Sequence, residues 1–309
     1  MCAGAYGRIG AMNATATYRD GRILATITTF DPDAGRLREN LAAVCDQVAG
    51  VILVDNGSQD VASIRALAFE FPGCTLIENG ENLGVSVALN RGARAAIAAG
   101  ASAVLLLDED SVVSVGMVSA LARHLGEGVG VVCPLIGNYL ADSHVELSSD
   151  VHEVPRAINS GSLVSVAAYE SVGGFDEMLF VDWVDMDFCA NLRLHGYRIL
   201  QTHEVELSHA IGDNQYARKI PWYSSEQGFH LKQMYRTNHS DFRREDKARS
   251  WAIVLRKYRG TQEYAAERSC IVKEFVSNLL FERRRCALLR AFRRGWRRGV
   301  EACARNGIK

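Results

Sequence analysis

Residues 104–111 read VLLLDEDS. Val104 to Leu107 are apolar without interruption, the pattern of a strand buried on both faces. The strand runs directly into Asp108, Glu109 and Asp110. Three carboxylates at the end of a buried strand repel one another and are costly to desolvate. Two arrangements relieve that cost. A divalent cation such as Mg²⁺ can take the carboxylate oxygens, because hard cations prefer oxygen ligands. Alternatively the acids form a solvated strand-to-helix turn, with Asp110 or Ser111 capping the next helix. The stretch alone supports both.

The segments upstream decide its context. ILATITT (23–29) reads as a first strand, broken by Thr28-Thr29-Phe30-Asp31-Pro32. A helix capped by Asp33 is expected through about Val48, and Gly50 ends it. Val51–Val54 is a second buried strand with the polar exit Asp55-Asn56-Gly57-Ser58. A helix over 60–70, a short strand CTLIE (74–78) and a turn over Asn79–Gly84 follow. Residues 85–99 are Ala-rich and helical, stopped by Gly100. Strands alternating with helices over 23–125 imply a mostly parallel, Rossmann-like sheet flanked by helices. In such sheets ligands bind beyond the carboxyl ends of the strands. The exits at Thr28–Asp31, Asp55–Ser58, Asn79–Asn82 and Asp108–Ser111 all belong to that edge, and four polar exits on one rim make a cleft.

A dinucleotide fold would need G-x-G-x-x-G after the first strand, where this chain has TTFDPD. The glycines of Gly126–Gly130 follow a helix and precede a strand, the wrong context. No P-loop and no G-x-S-x-G elbow is present.

Beyond Cys133 the pattern is irregular over 134–156, with HVEL (144–147) and VHEV (151–154) as short candidate strands. Residues 180–193, FVDWVDMDFCANLR, place Asp182, Asp185 and Asp187 beside Trp183 and Phe188. A helix from about Val184 to Leu194, closed by Gly196, sets Val184, Phe188 and Leu192 on one apolar face and turns Asp185 and Asp187 away from it. An acidic helix N-terminus, favoured by the macrodipole, accounts for the same residues without chemistry. YRIL and EVELSH are expected strands, the second ending at His209. Residues 213–309 read as mostly helical.

The 309 residues, 48% apolar and 23% charged, are ordinary for a globular protein. The net charge of −1 hides an asymmetry. Residues 271–309 hold eleven Lys or Arg and three Glu, a net of +8, which leaves −9 on the rest. A basic amphipathic tail suits the anionic cytoplasmic leaflet of an inner membrane, and a packed helix with a solvated basic face gives the same pattern. Nucleic acid is disfavoured by the acidic body. The eight cysteines are scattered without a C-x-x-C pair and read as reduced thiols of a cytoplasmic protein. No run of about 18 apolar residues occurs. The expected organisation is a loose leader (1–21), an α/β domain that carries the cleft (22–213) and a helical, basic C-terminal region (214–309).

The ordered set TTFDPD, VDNGS, ENLGVSVALNRG, LLLDEDS, NSGSLVS, GGFDEMLFVDWVDMDFCANLRLHGY and LSHAIGD resembles family 2 glycosyltransferases of the GT-A fold, most closely the bacterial rhamnosyltransferase branch. The likeness covers about residues 23–213. It implies a DxD motif at Asp108 and Asp110 that holds Mg²⁺ or Mn²⁺, with His209 completing the metal site. It implies nucleotide-binding roles for Thr28, Phe30, Asp55, Asn82, Gly84, Asn90, Asp108 and Glu109. Asp185 matches the general base, with Asp182 and Asp187 as alternatives, and Trp183 an acceptor contact. Tyr235 and Arg236 resemble a downstream element that faces the diphosphate. The implied reaction is inverting transfer of L-rhamnose from dTDP-L-rhamnose to a glycan acceptor, lipid-linked by expectation, with a UDP-hexose or UDP-galactofuranose donor as the alternative. Val184 replaces the Glu that usually precedes the base, which leaves room for a non-catalytic sugar-nucleotide or membrane-binding protein on a decayed transferase fold. Gln215-Tyr216-Ala217-Arg218 is followed by Lys219 rather than the Trp of processive synthases, so single-sugar transfer is expected.

Overall fold

The computed structural model describes residues 21–138, 146–209, 214–224, 228–237, 240–282 and 284–308. By its internal contacts the chain divides after residue 210 into two compact units.

The first unit opens with β1 (Ile23–Thr29), α1 (Ala34–Cys45), β2 (Val51–Asp55), α2 (Val61–Glu70), β3 (Cys74–Glu78), α3 (Val85–Ala98) and β4 (Ala103–Asp108). Asp33 caps α1 by accepting from the Arg36 N–H, and Asp60 caps α2 from the Ser63 N–H, each satisfying a donor left over by the first turn. The unit continues with β5 (Val112–Val113), α4 (Met117–Ala122), β6 (Val129–Asn138), β7 (Val151–Glu153), β8 (Leu163–Ser165), α5 (Val166–Val172), α6 (Val184–Leu194) and β9 (Arg198–His209).

These strands form one sheet in the order β3-β2-β1-β4-β8-β6-β9-β5, with β7 also paired to β9. The β3-β2-β1-β4 half is parallel, as the alternation predicts. The other half is mixed: β6 and β9 are parallel, whereas β8 opposes both neighbours. A parallel return needs a long crossover, usually a helix, and no helix lies between Asn138 and Leu163 among the described residues.

Three local expectations change. Neither Asp110 nor Ser111 caps a helix, because Val112–Val113 pair with Ser208 and Leu207 of β9 and α4 begins only at Met117. The two strands expected over 198–209 are one, whose pairing with β6 shifts between Gln201 and Glu206. Glu146 and Leu147 lie outside any strand, and the rest of HVEL lies outside the described residues.

The strand order reverses between β1 and β4, where Thr28 is in register with Asp108. A reversal of this kind splays the flanking connections apart and leaves a crevice beyond the strand ends. The buried Ile27, Leu53, Leu105 and Leu107 pack with Leu37 and Leu41 of α1, which fixes α1 beside that crevice. Another helix, α3, approaches β1 closely because residue 92 is glycine: a Cβ there would lie 2.1 Å from the Thr26 Cγ2.

In the second unit, the expectation of helix from residue 213 onward holds only after a hairpin. β10 (Asn214–Ser224) and β11 (Gly228–Thr237) pair antiparallel, and α7 (Asp241–Lys257), α8 (Glu263–Phe281) and α9 (Arg285–Arg305) follow. The hairpin segments are rich in β-branched and aromatic residues (Tyr216, Ile220, Trp222, Tyr223), which fit a pleated surface. α9 presents small residues to α7. A Cβ at Gly295 would sit 2.0 Å from the Glu245 carbonyl oxygen, and one at Gly299 2.5 Å from that of Arg249. The buried face of α9 (Leu288, Ala291, Gly295, Gly299, Ala302) is therefore already occupied. Its arginines point outward, and Arg294 and Arg298 both bond Glu245. No described helix is long and apolar enough to cross a membrane.

Candidate active site

The polar exits expected to share a rim are stitched together by hydrogen bonds. The Phe30 N–H donates to Glu109 Oε2 at 2.7 Å, tying the β1 exit to the β4 exit. The Asp31 N–H donates to Ser58 Oγ at 2.8 Å and Asp31 Oδ1 accepts from the Gln59 N–H, tying β1 to β2. Asp31 adopts φ 51°, a left-handed conformation that Asp tolerates better than most residues. Asn56 bonds both Asn79 and Asn82, tying β2 to β3.

Asp108, Asp110 and His209 converge at the β4 exit, their ligand atoms lying within 4.8 Å of one another. His209 Nδ1 is 3.1 Å from Asp110 Oδ1, and Nε2 is 3.9 Å from Asp108 Oδ2. Burial pushes the Asp108 carboxyl up, His209 opposes this and Asp110 adds to it. Burial works against a charged His209, yet the carboxylates of Asp110 and Asp108 outweigh it and raise the imidazole above its ordinary value. Glu109 is pushed up to about 7, chiefly by burial. Acids that the fold forces together in this way gain when a cation joins them. Two carboxylates and one imidazole are a donor set that suits a divalent ion.

Three residues that the sequence did not single out, together with Ser111, hold this cluster. Asn40 Nδ2 donates to the Asp108 carbonyl at 2.8 Å, and Arg36 Nε donates to that of Asp110 at 2.8 Å. Both side chains come from α1, one turn apart, so they face the same way. Ser160 Oγ accepts from the Asp108 N–H at 3.1 Å and lies 2.5 Å from Ser111 Oγ, which is 2.9 Å from His209 Nδ1. An apolar-to-polar alternation cannot reveal such partners, because they lie 49 to 98 residues from the groups they hold.

Asp185 occupies the first turn of α6 and is half-buried. Its pKa is pushed up to about 6, first by burial and further by Asp108 and Asp182. The preceding Trp183 is buried and takes φ 73°, a strained conformation for a bulky residue. Asp182 is half-buried. Asp187 departs from the expected helical face: it is 1% exposed.

The remaining expected nucleotide contacts divide. Thr28 and the half-exposed Phe30 stand on the rim. Asp55 is 1% exposed and accepts from the Thr29 hydroxyl and the Gly57 and Ser58 N–H groups. Asn82 accepts from Asn56 and from the Gly84 N–H. Asn90 is buried and bonds Phe175, Tyr169 and Glu177. Gly84 has φ 90°, and a Cβ there would meet Phe180 at 2.6 Å. In the structure Gly84 and Asn90 thus brace the loop over 175–180 that leads to Asp185. The side chains of Tyr235 and Arg236 lie outside the described residues.

Residues 25–161 match the sequence profile described as glycosyl transferase family 2. This segment is similar to family 2 glycosyltransferase domains. The chain is 26% identical over 211 residues to the dTDP-rhamnosyl transferase RfbF of Shigella flexneri, an alignment that covers 63% of this chain and 71% of that one. Among solved structures, S. aureus TarS (residues 1–349) superposes with a TM-score of 0.52 at 15% identity, over 85% of this chain and 73% of that one. GalNAc-T7, solved with UDP, GalNAc and Mn²⁺, gives a TM-score of 0.52 at 12% identity, over 62% of this chain and 44% of that one. This chain thus spans under half of the length of GalNAc-T7. The structural likenesses establish the GT-A-like fold of the transferase domain. The candidate site lies at the β1/β4 reversal, where open α/β sheets offer a crevice for ligands.

Proposed function

We propose that this protein is a metal-dependent inverting glycosyltransferase that moves L-rhamnose from dTDP-L-rhamnose to a glycan acceptor carried on a lipid. The observation that carries the reading is the convergence of Asp108, Asp110 and His209 with a base-competent Asp185, whose pKa Asp108 helps to raise. The sugar identity rests on the rhamnosyl transferase relative.

In this reading Asp108, Asp110 and His209 hold Mg²⁺ or Mn²⁺. The bound ion supplies charge neutralisation to the departing nucleoside diphosphate. Arg36 and Asn40 keep the acidic turn in place through its carbonyls, so the carboxylates are aimed before donor binds. Phe30 offers a half-exposed ring for the base, and Thr28 lines the same edge. Asp185 accepts the proton of the acceptor hydroxyl as its oxygen attacks the anomeric carbon. The bond from that carbon to the diphosphate oxygen breaks on the opposite face, and the configuration inverts. A carboxyl with a pKa of about 6 is ionised at neutral pH, yet basic enough to take a proton in the transition state. Arginines on the outer side of α9 suit an anionic leaflet, each worth about 1 kcal/mol near such a surface.

A second reading keeps the chemistry but uses a UDP-hexose or UDP-galactofuranose donor. TarS, solved with UDP and with UDP-GlcNAc, motivates it. Thermal shift with dTDP, UDP or GDP plus Mn²⁺ separates the two, since the cognate nucleotide stabilises most. Transfer from dTDP-L-rhamnose confirms the first. No hydrolysis or transfer from any nucleotide sugar, with Asp185→Asn indistinguishable from the parent, sinks both.

A further inference from the structure

A second cluster of metal-ligating side chains lies on the β7–β9 edge, outside the transferase site. His152 of β7 and His203 of β9 approach with ring centroids 4.7 Å apart, tilted by 51°. Asp150 joins them, and one ligand atom from each residue lies within 4.8 Å of the others. All three are half-buried. Two imidazoles so close repel when protonated and have no mutual hydrogen bond to gain unless one is neutral. Burial, and then the neighbouring His152, hold His203 below its ordinary value.

The surrounding bonds aim the groups. Ser148 Oγ donates to Asp150 Oδ2 at 3.2 Å. The His203 N–H donates to the Asp150 carbonyl at 2.9 Å, and the Ser148 N–H donates to that of His203 at 3.0 Å. An oriented carboxylate with its own hydrogen-bond partner is the support that metal ligands need.

We propose that Asp150, His152 and His203 form a binding site for a borderline transition cation of the Zn²⁺ class, which clips β7 to β9. Two nitrogens and one oxygen favour Zn²⁺ over Mg²⁺ or Mn²⁺. Ligands about 2.0–2.2 Å from a tetrahedral ion lie roughly 3.4 Å apart. The three ligand atoms, within 4.8 Å of one another, lie close to that spacing. β7 is paired over only Val151–Glu153, so a clip that joins it to β9 would hold a short edge in register.

The test titrates Zn²⁺ and Co²⁺ into the full chain. Co²⁺ is expected to give ligand-field bands without a thiolate charge-transfer band. His152→Ala and His203→Ala are each expected to weaken binding by at least about tenfold, and Asp108→Asn to leave this affinity unchanged. Undiminished binding in both His variants, or a thiolate band, overturns the proposal. If circular dichroism shows either variant unfolded, the unaltered chain is modified with diethyl pyrocarbonate with and without Zn²⁺. Protection of His152 and His203 sustains the site; equal modification in both conditions removes it.

Discussion

Strand β9 contributes a histidine to each of two clusters, His209 beside Asp108 and Asp110, and His203 beside Asp150 and His152. The two imidazoles shift in opposite directions. Carboxylates raise His209, whereas burial and a second imidazole lower His203. One strand thus carries two chemically different corners. The first gathers oxygen ligands at the sheet's reversal, where Asp185 and a half-exposed Phe30 stand near. The second gathers nitrogen ligands on an edge, away from any strand exit. The number of candidate ligands is the same; the company they keep decides what each can bind.

Separate substitutions in each cluster test that contrast. The largest effect is expected from Asp185→Asn at the rim. Its kcat should fall by about 10²–10⁴-fold, the share of a general base, while the melting temperature does not fall. Stability follows from the sign of the shift: the folded pKa, about 6, lies above the ordinary aspartate value. The folded chain binds that proton more tightly, so this group's contribution to stability declines as pH rises from about 4 to 6. An amide removes the cost, and a large melting loss in Asp185→Asn would show the residue to be structural.

Next come the ligands. Asp110→Asn should abolish Mn²⁺-dependent stabilisation by nucleotide in a thermal-shift assay and leave Zn²⁺ binding intact. His203→Ala should do the reverse, and loss of both responses in either variant would merge the two clusters into one. A pH profile gives the third effect. kcat should climb through about pH 6 as Asp185 ionises, and a profile flat from 5 to 8 removes Asp185 as the base.

Smaller effects are expected from the bracing residues. Gly84→Ala forces φ 90° on a residue with a Cβ and drives it into Phe180, which should cost about 1–3 kcal/mol in denaturant melts. Phe30→Ala leaves the hydrogen bond from its N–H to Glu109 in place and should weaken nucleotide affinity by only about 2–10-fold, the worth of one ring contact. A change in kcat without a change in affinity would place Phe30 elsewhere.

The parallel half of the sheet was legible because hydrophobic runs, helix caps and glycine stops are local. Asp33, Asp60 and the VLLL run each act within a few residues of themselves. The mixed half was less legible: the hairpin over 214–237 read as helix, and β8's direction depends on which neighbours receive it. At the rim, residue types pointed to Asp108 and Asp110, since acids at a buried strand end are costly wherever they sit, while the choice of His209 and Asp185 came from the family resemblance. Sequence could not separate groups that face the rim from groups that brace it. Asn82 and Asn90 share the residue type of a nucleotide contact, yet their amides bond inside the chain.

By itself, the sequence determined the alternation that builds the parallel half-sheet, the four polar exits and the acids that end β4. These depend on periodicity and on the cost of desolvating charge, both properties of short segments. Tertiary structure alone decided that Arg36, Asn40 and Ser160 hold the acidic turn, that Asp187 is buried, and that His152 and His203 face each other. Those facts depend on distances between elements far apart in the chain, and a distance of that kind exists only once the sheet has closed.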